Sequence, residues 1–354
     1  MACVDVVIPC YNYARYLRSC VESALLQEGV EVRVLILDDA SSDDTPRVCE
    51  ALAARDPRVQ VRRHTVNRGH IATYNEGLLE WASSPYSLLL SADDMLAPGA
   101  LRRATEFMEQ RGAVGMCYGF AQVFTDDVPV IAQGAPEVAD QLELAGANFL
   151  RYCFENAMNP VPTPTAVVRT ALQQKIGGYR RDLPHAGDLE MWMRFAAHSS
   201  IGVLRCVQAF YRRHDTNMSV RYSFRPLEDR RQVALACQEI IDQWGVRFAD
   251  SASWLKSARQ RLSMEALWSA RDAFERGEDK EMQAWLDFAV KTYPQVRRSP
   301  IWWRVRAKRL LGLTLWHALR PALARFLASA PVTTADAEAG ASFGALQGWW
   351  PGGT

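Results

Sequence analysis

The sequence predicts an α/β protein, with an open sheet flanked by helices, followed by an all-helical C-terminal region. Short runs rich in Val, Ile and Leu alternate with longer stretches of helical spacing over the first 120 or so residues. That alternation is typical of βαβ units. From about Arg225 onward the strand patterns stop and helical spacing continues to about Tyr293.

The predicted elements follow one another in βαβ order. Strands are predicted at Asp5–Ile8, Glu31–Leu37, Val59–Arg63, Tyr86–Leu90 and Val114–Phe120. Helices are predicted between them at Tyr13–Gln27, Thr45–Arg55, Ile71–Ser83 and Pro98–Gln110. The Thr45-Pro46 pair supports a helix start, because proline fits the first helical position. The polar stretch from Thr125 to Ala147 is expected to be an irregular connection that folds over the site.

Four segments are predicted along the chain. They are the sheet domain (1–225), a helical domain (226–296), a basic amphipathic helical segment (297–330) and a disordered tail (331–354). The spacing of Ala266, Ala270 and Ala273 resembles one helical hairpin of the tetratricopeptide type. A single hairpin is too short for a repeat array, which needs about three stacked copies.

Composition excludes several classes of protein. The 354 residues are 49% hydrophobic and 23% charged with a formal net charge of +1, as in an ordinary globular protein without a nucleic-acid-binding surface. The eight cysteines form no C-x-x-C pair, which argues against a zinc site and a disulfide scaffold and favours reduced, mostly buried thiols. We see no signal peptide and no run of ~20 apolar residues, so a cytoplasmic location is expected.

Polar and aromatic residues follow the first predicted strand. In an open parallel sheet, ligands bind beyond the carboxyl ends of the strands. Pro9, Tyr11 and Asn12 stand at such an end, so they are candidates for binding a nucleotide, with Tyr11 stacking on a base. The same residues also form a common strand-to-helix turn, and this alternative remains open.

The second and third strands end in charged residues. Asp38 and Asp39 precede a helix that Asp43 or Thr45 can cap, so both are left to accept hydrogen bonds from a base or ribose, with structural turn chemistry as the alternative. Arg68 lies in a glycine turn before the next helix, where it can meet a phosphate. A solvent-exposed arginine is the competing interpretation.

Two adjacent carboxylates follow the fourth strand. Asp93 and Asp94 repel one another, and a divalent cation such as Mn²⁺ or Mg²⁺ would relieve that repulsion. We predict Asp94 as the metal ligand and Asp93 as a ribose contact. Helix capping near Pro98 would explain only one of the two aspartates.

Two later residues are candidates for proton transfer and metal binding. Asp188 begins an amphipathic helix, where it could cap the helix or take a proton from an acceptor hydroxyl. Glu190 and Arg194 are expected to pair on the surface of that helix. His214 could complete the metal shell or touch a diphosphate, although a lone histidine is more often structural.

Taken in order, these motifs resemble the family-2 inverting glycosyltransferases with the GT-A fold, over roughly residues 4 to 220. The resemblance implies a mixed open sheet with a Rossmann-like nucleotide-binding half. It also implies that Asp39 contacts the base, that Arg68 follows the family's Asn-x-Gly region, and that Asp93-Asp94 is the variable D-x-D position with Asp94 on the metal.

The resemblance also bears on the later residues. It implies that Asp188 is the general base, and that His214, Asn217 and Ser219 belong to the family's Tyr-Arg-x-His-x-x-Asn-x-Ser segment. One departure is Gly187, where many members have glutamate before the base. Acceptor contacts from that position are therefore not inferred.

The function expected from this resemblance is an inverting transfer of sugar from a UDP-, GDP- or dTDP-linked donor to a saccharide or lipid-linked acceptor, in bacterial surface polysaccharide or other glycoconjugate synthesis. A sugar-nucleotide nucleotidyltransferase is one alternative, but the first loop lacks the glycines it would need. A non-catalytic scaffold with a relic nucleotide-binding domain is the other. Neither G-x-G-x-x-G after the first strand nor a G-K-[ST] motif occurs, which excludes typical dehydrogenases and P-loop enzymes.

The segment 297–330 combines tryptophan and leucine with eight Lys or Arg and no Asp or Glu. Such a segment suits a helix that lies on an anionic membrane, so peripheral contact with the inner face of the membrane is expected. Packing on the helical domain is the alternative, and Pro300 and Pro321 interrupt the segment.

Overall fold

The computed structural model describes residues 1–125, 140–217, 226–327 and 346–351. The chain forms two compact units. The first comprises Met1–Cys153, Met158–Arg221 and Phe343–Thr354, and the second comprises Phe154–Ala157 and Tyr222–Ser342. The division therefore falls close to the predicted boundary at residue 225.

The first unit contains the sheet. Its strands are β1 (Ala2–Cys10), β2 (Val30–Asp38), β3 (Val59–Arg63), β4 (Tyr86–Leu89), β5 (Met95–Leu96), β6 (Val114–Phe124), β7 (Gln141–Leu144), β8 (Val167–Arg169), β9 (Ser200–Arg212) and β10 (Leu346–Gln347). The main order is β3-β2-β1-β4-β8-β6-β9-β5. Strands β3, β2, β1 and β4 are parallel, whereas β8 is antiparallel to both of its neighbours. The predicted open, mixed α/β sheet is confirmed.

Helices cover the parallel half of the sheet on both faces. The helices of this unit are α1 (Ala14–Leu25), α2 (Thr45–Arg55), α3 (His70–Asn75), α4 (Ala100–Glu109), α5 (Gly146–Asn156), α6 (Thr170–Ile176) and α7 (Gly187–Ala196). Burial on both faces explains why β1 carries apolar residues on both faces, with its residues from Val4 to Ile8 all buried. The one charged residue among them, Asp5, is paired with Arg33 at 2.7 Å. The last turn of α5 is counted with the second unit.

The chain reverses its direction of travel across the sheet between β1 and β4. It passes from β1 outward to β2 and β3, and then returns to the other side of β1 with β4. Backbone hydrogen bonds join the strand ends, from Asp39 to Cys10 and from His64 to Asp38, each at 2.9 Å. The polar residues that follow these strands therefore lie at one edge of the sheet.

Helix α3 continues without a break as a π-helix over Glu76–Trp81. Gly77 lies where this helix crosses the sheet, and a Cβ at this position would lie 2.2 Å from Val7 Cγ1. The close approach explains the glycine, and the predicted helix Ile71–Ser83 therefore contains a wider turn.

Two details of the first unit differ from the sequence prediction. The stretch Thr125–Ala147 contains β7 and the start of α5, and residues 126–139 of it lie outside the described residues. Glu190 and Arg194 do pair, but both side chains are buried, so they are not on the surface. Arg194 also donates to the carbonyls of Ile176 and Gly178, which explains why the pair faces inward.

Part of the predicted disordered tail is ordered. Leu346 and Gln347 form β10, antiparallel to Gln122 and Ala121 of β6. Residues 331–345 and 352–354 lie outside the described part of the chain, as does Ser219. The Thr, Ala, Gly and Pro content of the tail predicted disorder, whereas Trp349 makes specific contacts with Tyr152 and Tyr118.

The second unit is helical. It contains α8 (Pro226–Trp244), α9 (Ser251–Glu275), α10 (Asp279–Thr292) and α11 (Pro300–Leu327). Helices α9 and α10 form the predicted hairpin, with Ala258, Ala266 and Ala270 buried and the Ser263 hydroxyl donating to the Ala289 carbonyl. Helix α11 is interrupted at Gly312, where φ is +73°. No helix of the described residues is long and apolar enough to cross a membrane.

All eight cysteines are free, and seven of them are buried. The predicted reduced, mostly buried thiols are confirmed.

Candidate active site

The loops after β1 and β2 are tied together by Asn12. This residue adopts a left-handed conformation with φ of +59°. Its side-chain oxygen accepts the N–H groups of Ser42 at 2.8 Å and Asp43 at 3.3 Å. Pro9 lies partly buried near the end of β1, and the Tyr11 ring is 43% exposed. Asn12 therefore shapes the loop, while Tyr11 offers a free face for stacking on a base.

Asp39 is a buried carboxylate that organises the turn after β3. One oxygen accepts the Arg68 N–H at 2.7 Å and the other accepts the Gly69 N–H at 2.9 Å. The first oxygen also lies 2.6 Å from His64 Nδ1. Because a carboxylate offers about four acceptor positions, Asp39 can still accept a bond from a ligand on its Gly69 side.

His64 and Glu76 form a polar cluster with Asp39 and Arg68. His64 Nε2 lies 3.0 Å from Glu76 Oε2, and Arg68 Nη1 lies 2.6 Å from the same oxygen. The Arg68 side chain is half-buried. Sequence analysis missed His64 and Glu76, yet His64 directly follows β3. The strand-end rule that singled out Asp39 and Asp94 would also have found it.

Asp93 and Asp94 lie after β4, and Arg212 of β9 holds them in place. The Arg212 N–H donates to Asp94 Oδ1 and its Nε donates to the Asp93 carbonyl, each at 2.9 Å. Burial raises the pKa of Asp94 well above its usual range, and the charge on Asp93 raises it further. A cation beside these carboxylates would offset both effects.

His214 binds the other aspartate of this pair. Its Nε2 lies 3.1 Å from Asp93 Oδ2, and the same oxygen accepts a bond from Asn217 Nδ2 at 3.0 Å. Its Nδ1 accepts from the Thr216 N–H at 3.3 Å, so the proton on Nε2 is directed at Asp93. The ring also packs on Tyr16, with ring centroids 4.8 Å apart. As placed, His214 orients Asp93, and ligation of a metal would require the bond to Asp93 to open.

The donor set fits a hard cation in part. Asp94 uses one acceptor position for Arg212, so its carboxylate retains positions for an oxygen-preferring ion. Among the described residues, no group of three or more His, Cys, Asp and Glu is arranged to hold an ion. The remaining ligands of such an ion would therefore come from the diphosphate and water.

Asp188 lies in the first turn of α7, opposite a short 3-10 helix at Thr163–Thr165. Its Oδ2 accepts a hydrogen bond from Thr163 Oγ1 at 2.7 Å. Burial raises the pKa of Asp188, and the bond from Thr163 partly offsets that rise. The predicted base is therefore a partly exposed carboxylate held by a hydroxyl.

His70 connects the two ends of the site. It begins α3 directly after the Asn67-Arg68-Gly69 turn, and it interacts electrostatically with both Asp188 and Asp39. Burial lowers its pKa, and its Nε2 lies 3.3 Å from the Pro184 carbonyl oxygen. His70 was not predicted. It directly follows Gly69, whose N–H donates to Asp39, and it contacts Pro184, four residues before Asp188, so the Asp39 turn lies next to the segment that leads into α7.

The fold and this edge of the sheet define a nucleotide-binding α/β domain of the GT-A type. Residues 5–173 match the family described as glycosyl transferase family 2, so this part of the chain is similar to that family. The resemblance and the fold class expected from the sequence are thereby confirmed.

Several relatives are similar to this chain in sequence, and several solved structures are similar to it in fold. The chain is 30% identical to the Mycobacterium tuberculosis protein MT1568 over 56% of its own length and 63% of that protein, and 35% identical to the Rhizobium meliloti succinoglycan biosynthesis protein ExoO over 36% and 34%. It thus spans less than two thirds of each of these relatives. The structure of S. aureus TarS 1-349 with UDP-GlcNAc has a TM-score of 0.64 at 19% identity, covering 91% of this chain and 92% of that one. A Pyrobaculum calidifontis mannosyltransferase, solved with GDP-Man and Mn²⁺, has a TM-score of 0.51 at 18% identity, covering 82% and 86%.

Proposed function

We propose that the chain is an inverting, metal-dependent glycosyltransferase that moves a sugar from a nucleotide-diphosphate sugar to an acceptor hydroxyl. The observation that carries this proposal is the position of His70, which directly follows the Gly69 N–H bound to Asp39 at the predicted nucleotide end and lies 3.3 Å from the carbonyl oxygen of Pro184, four residues before the predicted base Asp188. A donor bound along the strand ends would extend from one to the other. The match of residues 5–173 to the glycosyltransferase family supports the same activity.

In the proposed reaction, Asp188 accepts the proton of the acceptor hydroxyl. The acceptor oxygen forms a bond to the anomeric carbon while the bond from that carbon to the diphosphate oxygen breaks. The electron pair of that bond leaves with the nucleoside diphosphate from the opposite face, so the anomeric configuration inverts. One carboxylate suffices, because no covalent sugar intermediate forms. The raised pKa of Asp188 makes it a stronger base than an exposed aspartate.

The donor is held by residues at the ends of four strands. Tyr11 would stack on the base, Asp39 would accept a bond from it, and Asp93 would accept one from the ribose. Arg68 is half-buried beside Glu76, where it can reach a phosphate oxygen. Asp94 would hold Mn²⁺ or Mg²⁺, with His214 as a further ligand only if it releases Asp93. When bound, such an ion supplies positive charge that stabilises the leaving diphosphate.

The acceptor is proposed to be a saccharide or a lipid-linked saccharide in the synthesis of a bacterial polysaccharide. The name of the relative ExoO, a succinoglycan biosynthesis protein, supports this class. The donor is proposed to carry UDP, GDP or dTDP, since the solved neighbours were crystallised with UDP-GlcNAc or GDP-Man. A cytoplasmic site, with peripheral contact to the inner face of the membrane, would suit a lipid-linked acceptor.

Two measurements test the proposal. A panel of nucleotide sugars with Mn²⁺ or Mg²⁺ is screened for release of nucleoside diphosphate in the presence of acceptor saccharides. Asp188→Asn is then compared with the unaltered chain. Loss of a general base should lower kcat by ~10²–10⁴-fold, whereas asparagine can still accept the Thr163 bond, so the local structure should survive. Asp182→Asn is the matched control, because Asp182 is an exposed carboxylate in the turn that precedes α7.

The pH profile gives a second test of the base. Asp188 must be ionised to accept a proton, and burial raises its pKa. Transfer should therefore be complete above that raised pKa and fall as the pH decreases through it, at a higher pH than the usual range of an aspartate near 3.9. Near-normal transfer by Asp188→Asn, or an unchanged rate down to that range, would show that Asp188 is not the base. The structure already excludes the helix-capping alternative, because the N-cap of α7 is Ala186 and no side chain among the described residues caps the helix.

A further inference from the structure

The segment 346–351 docks on the first unit beside the residues that hold Asp188. Trp349 stacks on Tyr152 of α5, with ring centroids 3.7 Å apart and the planes inclined by 16°. Its N–H donates to the Pro160 carbonyl at 3.2 Å. Its own carbonyl accepts the hydroxyl of Tyr118 at 3.0 Å. Tyr118 is fully buried, so docking supplies a buried hydroxyl with its acceptor.

Pro160 begins a stiff connection to the base. Proline recurs at positions 160, 162 and 164, and each ring fixes one backbone φ angle. The Thr165 N–H and hydroxyl both bond to the Pro162 carbonyl, at 3.0 and 2.7 Å. Thr163, within this connection, donates to Asp188 at 2.7 Å. A displacement at Pro160 would therefore be passed on to Thr163, because few torsions are free to absorb it.

From this arrangement we infer that residues 346–351 are a positioning element for the base, acting through Pro160 and Thr163 on Asp188. The inference rests on the proposed function. Trp349 does not touch Asp188, so its effect is on the orientation of the carboxylate. A misplacement of about 1 Å at a catalytic group can lower turnover by up to ~10²-fold.

Gly348 offers a way to detach the segment without altering Trp349 or the base. Its φ is +126°, which non-glycine residues rarely adopt. A Cβ would also lie 3.0 Å from Phe120 Cδ1 and 3.2 Å from the Gly119 carbonyl oxygen. Gly348→Val should therefore release the segment. Trp350→Ala is the matched control, since Trp350 lies by Arg205, 5.8 Å from ring to guanidinium, rather than by Pro160.

The experiment compares full-length variants with the donor and acceptor found in the screen. We expect Gly348→Val and Trp349→Ala to lower kcat about tenfold with little change in the KM of the donor, while Trp349→Phe and Trp350→Ala stay near the unaltered value. Thr163→Val should lower kcat similarly. The double variant Trp349→Ala/Thr163→Val should be no slower than Thr163→Val alone, because both act on the same contact.

The acidic limb of the pH profile separates positioning from general destabilisation. Asp188 interacts with Thr163, Tyr179 and His70. Of these three interactions, only the hydrogen bond from Thr163 depends on Pro160 in the proposed series of contacts. That bond favours the ionised form, so its loss should move the acidic limb of kcat to higher pH in both Trp349→Ala and Thr163→Val.

Additive effects in the double variant, an unmoved acidic limb, or normal kcat in Gly348→Val would overturn the inference while leaving the proposed function intact. Absence of turnover by the unaltered chain with every donor would instead overturn the proposed function, and the inference with it.

Discussion

Three aspartates of the candidate site differ in the hydrogen-bond donors around them. Asp39 accepts two backbone N–H groups and lies against His64, so its charge is well compensated by the protein. Asp94 accepts one N–H from Arg212 and has Asp93 as a neighbour, and its pKa is raised. Asp188 accepts one hydroxyl and its pKa is also raised. The protein thus fixes Asp39 and leaves Asp94 and Asp188 under-compensated, as expected for residues that meet a cation and a proton.

The under-compensated charge of Asp94 leads to a prediction. Asp94→Asn should abolish the Mn²⁺-dependent part of donor binding, measured by calorimetry with the nucleotide sugar from the screen. Metal-free Asp94→Asn should unfold at the same or a higher temperature, because asparagine can still accept the Arg212 N–H and removes a buried charge that repels Asp93.

Asp44→Asn is the control for this change. Asp44 is a carboxylate near the same edge of the sheet, but it is half-exposed and paired with the exposed Arg47. Its replacement should leave metal-dependent binding unaltered. Retained Mn²⁺-dependent binding in Asp94→Asn would show that another group holds the ion.

At the scale of elements, the helix that starts at His70 links the sheet to the site. It begins with the turn bound to Asp39, continues as the π-helix that carries Glu76, and crosses β1 at Gly77. Its packing on the strands therefore fixes the position of Glu76, which holds both His64 and Arg68. The conformation of the predicted nucleotide-binding end therefore depends on the contact between Gly77 and β1, which lies outside that end.

Gly77→Ala tests that dependence. The added Cβ would lie 2.2 Å from Val7 Cγ1 and 3.1 Å from Leu37 Cδ1, so the helix must move away from the sheet. Overpacking of this kind costs about 1–3 kcal/mol of stability. We expect a lower Tm and weaker donor binding, because Glu76 shifts with the helix.

Gly112→Ala is the matched control, since a Cβ at Gly112 would meet nothing within 4 Å. It should leave both Tm and donor binding nearly unchanged. A Gly77→Ala protein with the Tm and donor affinity of the unaltered chain would disprove the close-packing argument.

Elements with local signals were predictable from the sequence, and elements defined by distant partners were not. Strands β1, β2 and β4 were found because each is a short, largely buried run between turn residues. Strand β9 was not placed, since its pairing with β6 includes register shifts that break a simple alternation of side chains. The docking of Trp349 depends on Tyr118 and Tyr152, which lie about 200 residues earlier in the sequence.

The residues of the candidate site also divide into those with a local sequence signal and those defined by distant partners. Asp39, Asp93 and Asp94 follow strands, so their common location could be inferred from the rule for strand ends. Thr163 reaches Asp188 from a proline-rich connection that carries no catalytic pattern. His70 stands two residues after Arg68, a predicted phosphate contact, but its contact with Pro184, in the segment before α7, joins residues 114 positions apart and leaves no local signal in the sequence.

At the scale of the whole molecule, helix α11 of the helical unit is the segment for which the sequence predicted membrane contact. Trp302 and Val305 of α11 are buried, and Lys308 is paired with Glu275 at 2.6 Å. These residues pack on the helical domain, which was the alternative to membrane binding for this segment. The charge of Lys308 is therefore not unopposed, and the surface available to a membrane is smaller than the sequence suggested.

The exposed part of α11 still combines apolar and basic side chains. Trp303 is 64% exposed and Leu310 is 83% exposed, and Leu315 and Leu319 are also exposed. Exposed arginines lie beside them in the sequence at 297, 298 and 304. Large apolar side chains in water cost free energy unless a partner covers them, and the arginines favour an anionic one. We therefore predict reversible binding to anionic membranes through this part of α11.

Point variants test this prediction better than truncation, because removal of α11 would also remove the buried Trp302 and Val305. Co-sedimentation is measured with vesicles of phosphatidylcholine alone and with added phosphatidylglycerol. The unaltered chain should bind the anionic vesicles, less so at high salt. The pair Arg298→Gln and Arg304→Gln should weaken binding roughly tenfold or more, at about 1 kcal/mol for each arginine.

Leu310→Ser should also weaken binding to the anionic vesicles, whereas Leu26→Ser, at a leucine of the sheet unit that is 76% exposed, should not. Equal sedimentation of all variants, or binding that ignores the anionic lipid, would exclude α11 as a membrane contact and favour a soluble acceptor.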